Sequence, residues 1–114
     1  GQRQRAFVAM VLAQDTGTIL LDEPLNNLDI RHAVAMMRLI RRAADELGKT
    51  IVVVLHDINF ASAYADRIVA MCDGKVAHEG PVAAVITEAV VEAVFGLPVM
   101  IREIEGQRTC LFRR

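Results

Sequence analysis

The sequence predicts an α/β fold on a parallel sheet, finished by short helices and a β-hairpin, and three observations carry that prediction. Thr18-Ile-Leu-Leu-Asp22 and Thr50-Ile-Val-Val-Val-Leu55 are short continuous apolar runs, as strands buried on both faces of a parallel sheet are. Between them the period becomes helical: from Asp29, a residue suited to an N-cap, Ile30, Val34, Met37, Ile40, Ala44 and Leu47 recur at helical spacing, and Gly48 supplies a stop. Residues 57–66 look helical again and Arg67–Cys72 reads as a third strand, so strands and helices alternate as a parallel α/β sheet requires.

The flanking elements follow from local chemistry. Residues 3–14 read as a helix, and the stretch from Ala6 to Ala13 is apolar nearly all round, as a helix buried on every side would be. Asp73-Gly74 turns the third strand back into Lys75–Glu79 as a hairpin, which Gly80-Pro81 ends. Val82–Ile86 and Glu88–Phe95 suggest two short helices, the second with Val90, Val91, Val94 and Phe95 on its apolar side. Val99–Glu105 and Arg108–Phe112, joined by Gly106-Gln107, read as the closing hairpin.

At 114 residues with 54% hydrophobic content, the chain suits one small domain or one piece of a larger one, and its composition excludes disorder. A net charge of −1 and a pI near 6.3 offer no basic field for nucleic acid or anionic lipid; the arginines at 3, 5, 38, 41, 42, 113 and 114 read as solvated faces. Cys72 and Cys110 stand far apart without metal-ligand spacing and read as reduced thiols of a cytosolic protein. The longest apolar stretch, Pro81 to Ile101, is interrupted by Thr87, Glu88, Glu92 and Pro98 and falls short of a transmembrane span. There is no signal peptide pattern. The chain starts at Gly1 without an initiator Met, and a domain rarely begins with its innermost helix, so the expectation is a fragment of a longer domain.

Open parallel sheets bind ligands beyond the carboxyl ends of their strands, where Asp22, Glu23 and His56 all fall. Few structural reasons exist to end a buried strand on two carboxylates. In that position Asp22 suits the organisation of magnesium, directly or through water, and Glu23 suits a general base or water-positioning group on a nucleotide phosphate. His56 can be a polar residue where a strand surfaces, but Asp57 beside it and the acidic pair nearby favour an imidazole that reaches a terminal phosphate and the attacking water. Gly1-Gln2 at the head of a helix suits a phosphate only weakly on its own. Asp29 reads as a helix cap able also to face a partner subunit, while His32 and His78 read as ordinary polar residues of a helix face and a hairpin.

Taken together, Gly1-Gln-Arg-Gln-Arg, Asp22-Glu23-Pro24, Asn27-Leu28-Asp29 and Val54-Leu-His56-Asp57 resemble, in order and spacing, the second half of an ABC transporter ATPase. The resemblance covers the whole chain, including Asp73-Gly-Lys-Val and Glu79-Gly80, and implies the C-terminal portion of a P-loop NTPase-like core. Leu25-Asn-Asn-Leu-Asp-Ile30, His56-Asp-Ile-Asn-Phe-Ala61 and Tyr64-Ala-Asp-Arg-Ile-Val-Ala70 look like the ATPases of bacterial iron-siderophore importers. On this likeness Gly1 and Gln2 would end the signature motif that touches ATP on the opposite subunit, and Asp22 would be the Walker B acid. Glu23 would be the catalytic glutamate, His56 the switch histidine, and Leu25–Asp29 the loop through which two ATPase subunits communicate. The implied cofactors are ATP and Mg2+. The implied partners are a second ATPase subunit, a transmembrane permease and, indirectly, an extracytoplasmic siderophore-binding protein, with no nucleic acid. The implied location is the cytoplasmic face of a bacterial inner membrane.

The departure from the family is large. No Gly-x-x-x-x-Gly-Lys-Ser/Thr loop occurs, the Leu-Ser-Gly expected before Gly1 is missing, and so is the glutamine loop. Residues 1–114 are therefore expected to be a partial ABC ATPase domain, from the end of the signature motif to the C-terminus, inactive alone although the full-length parent hydrolyses ATP as a dimer. Two other readings stay open: the ATPase head of a DNA-repair or chromosome-organising protein, and a non-catalytic truncated remnant. Iron complexes are the expected cargo of an importer, with cobalamin and haem systems close in pattern.

Overall fold

The computed structural model describes residues 16–112 together with Ala6, Ala9, Met10 and Ala13. Those four residues are helical, as expected over 3–14, but Ala6, Ala9 and Ala13 are exposed rather than enclosed; the rest of that segment lies outside the described residues. The chain divides into two compact units, residues 1–56 and 57–114.

In the first unit β1 (Thr18–Asp22) pairs in parallel with β2 (Thr50–Val54), Thr18 opposite Thr50 and Asp22 opposite Val54. Parallel neighbours need a crossover, and α1 (Ile30–Leu47) supplies it. The Asp29 carboxylate accepts the His32 backbone N–H at 2.9 Å, closing the N-terminus of α1, and Gly48 ends the helix at φ 64°, a left-handed conformation that costs glycine little. Ala33, Met36, Met37 and Ile40 form the buried stripe of α1, and Ile19 and Leu21 of β1 are buried as well. Ile30, 70% exposed, and Leu47 fall outside it, although the periodicity alone includes them. The reason is length: an 18-residue helix is ~27 Å long, whereas a five-residue strand spans ~17 Å, so the helix ends overhang the sheet. Arg41–Asp45 at 2.6 Å and Arg42–Glu46 at 3.5 Å are exposed pairs four residues apart, the solvated face that the arginines suggested.

The sheet is covered on one face among the described residues. Leu20 is 68% exposed and lies beside exposed Val52, with exposed Val54 one step along, so the expectation of strands buried on both faces holds for the Ile19 and Leu21 side alone.

In the second unit α2 (Ile58–Tyr64) begins at Asp57, whose carboxylate accepts the N–H groups of Asn59 and Phe60. β3 (Arg67–Cys72) and β4 (Lys75–Pro81) form an antiparallel hairpin through Asp73 (φ 52°) and Gly74 (φ 75°), the turn that Asp-Gly favours. The strand runs two residues further than expected, to Pro81. A proline that ends a strand forfeits little pairing, and here it also precedes the short helix α3 (Val82–Val85). α4 (Glu88–Phe95) starts where Thr87 accepts the Val90 N–H at 3.2 Å; it buries Val91 and half-buries Val90 and Val94, while Phe95 at its last position is exposed.

β5 (Val99–Ile104) and β6 (Gln107–Phe112) make the closing hairpin, with its turn at Glu105 (φ 50°) and Gly106 (φ 81°) rather than at Gly106-Gln107. A two-residue turn of this twist needs positive φ at both central residues, which leaves Gln107 to pair with Ile104. Both outer edges of this strand pair are bonded by side chains. Glu92 and Glu88 on α4 accept the Val99 and Ile101 N–H groups at 3.2 and 3.1 Å, while Asn59 and Ser62 on α2 bond the Cys110 and Arg108 backbone. Four residues of helix rise ~6 Å and two of strand ~6.7 Å, so Glu88 and Glu92 of α4 meet alternate outward groups of β5 in register; Asn59 and Ser62, three residues and ~4.5 Å apart along α2, meet alternate residues of β6 less evenly. Val91, Val99 and Cys110 form the core beneath, with Ile58 and Ile101 packed on it. Burial pushes the Cys110 thiol up, and Cys72 and Cys110 are both free.

Two outcomes test this account. Thr87→Ala removes the acceptor at the head of α4 and should lower stability by about 1 kcal/mol in urea unfolding; Thr87→Ser should restore it. The Asp29 carboxyl is held below its ordinary range, first by the His32 backbone N–H and second by the His32 side chain. Its cap is then fully present above the ordinary carboxylate range and lost as pH falls through the depressed value. In an NMR titration His32→Ala should raise the Asp29 value only part of the way, because the backbone donor remains.

Candidate functional site

The site grows out of the parallel pairing. The Glu23 N–H donates to Val54 O at 3.2 Å, adding one rung to the ladder after Asp22, so the chain leaves β1 beside the point where it leaves β2 for Leu55 and His56. Glu23 then adopts φ 50°, a left-handed backbone that costs a residue with a Cβ on the order of 1 kcal/mol. Its carbonyl accepts the Asn26 N–H at 3.1 Å, and the Leu28 N–H donates to Leu25 O at 3.1 Å, so Pro24–Leu28 is a tight double turn. Asn27, at φ 65°, is of a type that tolerates this region, and the turn delivers Asp29 to the head of α1.

Glu23 and His56, 33 residues apart, are brought together: His56 Nε2 pairs with Glu23 Oε1. An ionised carboxylate only accepts, so in a hydrogen bond to it the imidazole nitrogen is the donor. The His56 side chain is 81% exposed and that of Glu23 is 40% exposed, so both atoms remain within reach of water and of a ligand. Asp22 ends β1 exposed, and its alternation places it on the open face of the sheet with Leu20, opposite Val54. Among the described residues no group of three or more His, Cys, Asp or Glu converges on a metal position. Asp22 is instead one exposed carboxylate, which fits magnesium, an ion that takes one or two protein carboxylates and completes its octahedron with water and phosphate oxygens. Asp29 does not join Glu23 and His56 in these contacts. Its carboxylate accepts the His32 N–H and pairs with His32 Nδ1 at 2.7 Å. Gly1 and Gln2 lie outside the described residues.

Sequence reasoning passed over two side chains that the structure singles out. His32 pairs with Asp29, a partnership foreshadowed only by its place three residues beyond a cap. Asn59, two residues beyond the Asp57 cap, bonds a strand 51 residues away, and nothing local signals it.

No family profile matches the chain. Over 108 residues it is 55% identical to the petrobactin import ATP-binding protein YclP of Bacillus subtilis, covering 95% of this chain and 43% of that protein. Over 116 aligned residues it is 48% identical to the hemin import ATP-binding protein HmuV of Rhodococcus jostii, covering 100% of this chain and 39% of that one. The chain thus spans about two-fifths of the length of the curated relatives it matches. Among solved structures, a transporter assigned to the metal-chelate ABC type, in an inward-facing conformation, superposes with a TM-score of 0.80 over 98% of this chain and 47% of its own, at 24% identity, a likeness of fold. The ATP-binding cassette MJ0796, a dimer bound to ADP and phosphate, superposes with a TM-score of 0.59 at 40% identity over 71% of this chain and 34% of its own. By these identities, and by a fold shared with ABC ATPase domains, the chain belongs to the ATP-binding proteins of ABC transporters.

Proposed function

We propose that this chain is the C-terminal part of an ATPase subunit that energises import through a membrane permease, with an iron–siderophore complex as cargo. The observation that carries the proposal is the contact between Glu23 and His56 at adjacent parallel strand ends, one rung beyond Asp22. A carboxylate on water and an imidazole N–H on the terminal phosphate are the two groups that hydrolysis of a phosphoanhydride needs.

In this reading Glu23 orients the attacking water and accepts its proton, at the left-handed residue where the chain leaves β1. His56 holds a proton on Nε2 and can pass its hydrogen bond from Glu23 to a phosphate oxygen, which frees the base as the nucleotide arrives. Asp22 holds magnesium, directly or through water, and the ion neutralises charge on the phosphate oxygens when bound. Asp29, at the end of the Leu25–Asp29 loop, faces a second ATPase subunit, whose nucleotide Gly1 and Gln2 contact. The protein sits peripherally on the cytoplasmic face of the membrane, and an extracytoplasmic siderophore-binding protein delivers cargo to the permease. Support for the cargo class comes from relatives named for petrobactin import; a relative named for hemin keeps haem as the nearest second cargo.

The open face of the sheet supports the partial-domain reading. Parallel sheets are covered on both faces, and exposed Leu20, Val52 and Val54 call for a further layer that a parent more than twice as long can supply. No helix among the described residues is long and apolar enough to cross a membrane.

In the full-length protein, Glu23→Gln should retain ATP binding and lose at least a hundredfold in phosphate release; turnover at the parent rate would remove Glu23 from the base role. The isolated 114 residues, which carry no phosphate-cradling loop, should release no phosphate above background at any ATP concentration; saturable hydrolysis by them would overturn the partial-domain reading.

A further inference from the structure

The Leu25–Asp29 loop ends on a carboxylate that is held more firmly than a helix cap requires. Asp29 Oδ1 accepts two donors at once, the His32 backbone N–H at 2.9 Å and the His32 ring at Nδ1, 2.7 Å away. The backbone bond is the ordinary cap. The ring bond is additional, and it comes from the position of His32 three residues on, where a side chain of the first turn stands over the cap residue. An ionised carboxylate only accepts, so Nδ1 is the donor. The Asp29 carbonyl in turn accepts the Ala33 N–H at 2.9 Å, which fixes the backbone of the residue as well as its side chain. The Arg31 N–H acts on the carboxyl more weakly. Neither of the two His32 bonds uses Oδ2, and the side chains of Asp29 and His32 are 61% and 64% exposed. The result is a second acceptor oxygen on an exposed side chain whose rotamer is set in advance.

We propose that His32 is a positioning residue for the contact between two ATPase subunits: its ring locks the Asp29 rotamer, so that Oδ2 is offered to a hydrogen-bond donor on a second copy of this protein. The proposal rests on the reading above in which Asp29 faces the second subunit. His32 acts through the bond to Oδ1. An untethered aspartate χ1 samples three staggered wells, so locking one favours association about threefold at each site, and about tenfold where a two-fold axis repeats the contact. What the ring supplies is a donor at Nδ1. The amide of asparagine can place its Nδ2 near the same point, whereas phenylalanine keeps a ring without the donor. The helix cap is a separate matter, because the backbone N–H that makes it survives either substitution.

The test uses the full-length protein with a non-hydrolysable ATP analogue. It measures the dimer dissociation constant by fluorescence-detected sedimentation, together with the thermal midpoint of each variant without nucleotide. The variants are His32→Phe, His32→Ala, His32→Asn and Asp29→Ser, the last of which keeps a good cap while removing Oδ2. The expected result is a dissociation constant raised about tenfold in His32→Phe and His32→Ala, returned to within about twofold of the parent in His32→Asn, and raised at least about tenfold in Asp29→Ser. The thermal midpoints should change little throughout. His32→Ala decides the matter if His32→Phe does not fold. Phe and Ala variants that associate as the parent does, while Asp29→Ser associates more weakly, overturn the proposal and leave Asp29 in the subunit contact. Equal weakening in all three variants at 32, in step with their thermal midpoints, also overturns it and assigns the ring to helix stability. A parent that stays monomeric, or an Asp29→Ser variant that associates as tightly as the parent, overturns the reading beneath it.

Discussion

The parallel register of β1 on β2 is the constraint on which the site depends. Because Asp22 lies opposite Val54, and the Glu23 N–H extends the ladder to Val54 O, the residues that follow the two strands leave the sheet side by side. A slip of one residue would carry Ile19 and Leu21 from the buried face to the open one and would separate Glu23 from His56, so the same apolar alternation that protects the core also protects the chemistry. α1 enforces the register from outside the ladder. Its caps at Asp29 and Gly48 set where the crossover begins and ends, and its stripe from Ala33 to Ile40 is buried, as are Ile19 and Leu21.

The second unit is held by a different device. Its two hairpins have little core of their own, and the closing one is secured by side chains on both outer edges: carboxylates of α4 on β5, an amide and a hydroxyl of α2 on β6. Two-stranded ribbons are marginal in water by themselves, and bonding their outward N–H and C=O groups satisfies them and blocks further strands from adding. Arg108 adds a bond from Nε to Ile86 O at 2.7 Å, reaching back to the segment between α3 and α4. Among the described residues no buried side-chain polar atom lacks a partner, so this polar scheme is complete.

Much of this was legible in the sequence, and the reasons differ by element. The β1 and β2 runs, the Asp29 and Gly48 boundaries of α1 and the Asp73-Gly74 turn rest on local chemistry that tolerates few alternatives. The closing turn was misplaced by one residue because Gly106 can serve at either central position, and only the pairing of Ile104 with Gln107 chooses between them. The overhang of Ile30 and Leu47 was invisible because periodicity states which face is apolar but not how far the covering strands extend.

By itself the sequence determined the elements, their alternation and the placing of Asp22, Glu23 and His56 at strand ends, because those follow from period, caps and turn residues acting over a few positions. The tertiary structure alone decided that Glu23 and His56 pair, that Glu23 takes a left-handed backbone, that Asp29 bonds His32, and that Asn59 reaches Cys110. The long-range contacts join residues 33 and 51 apart, and no local preference encodes which of many polar side chains meets which backbone group once the strands are in register.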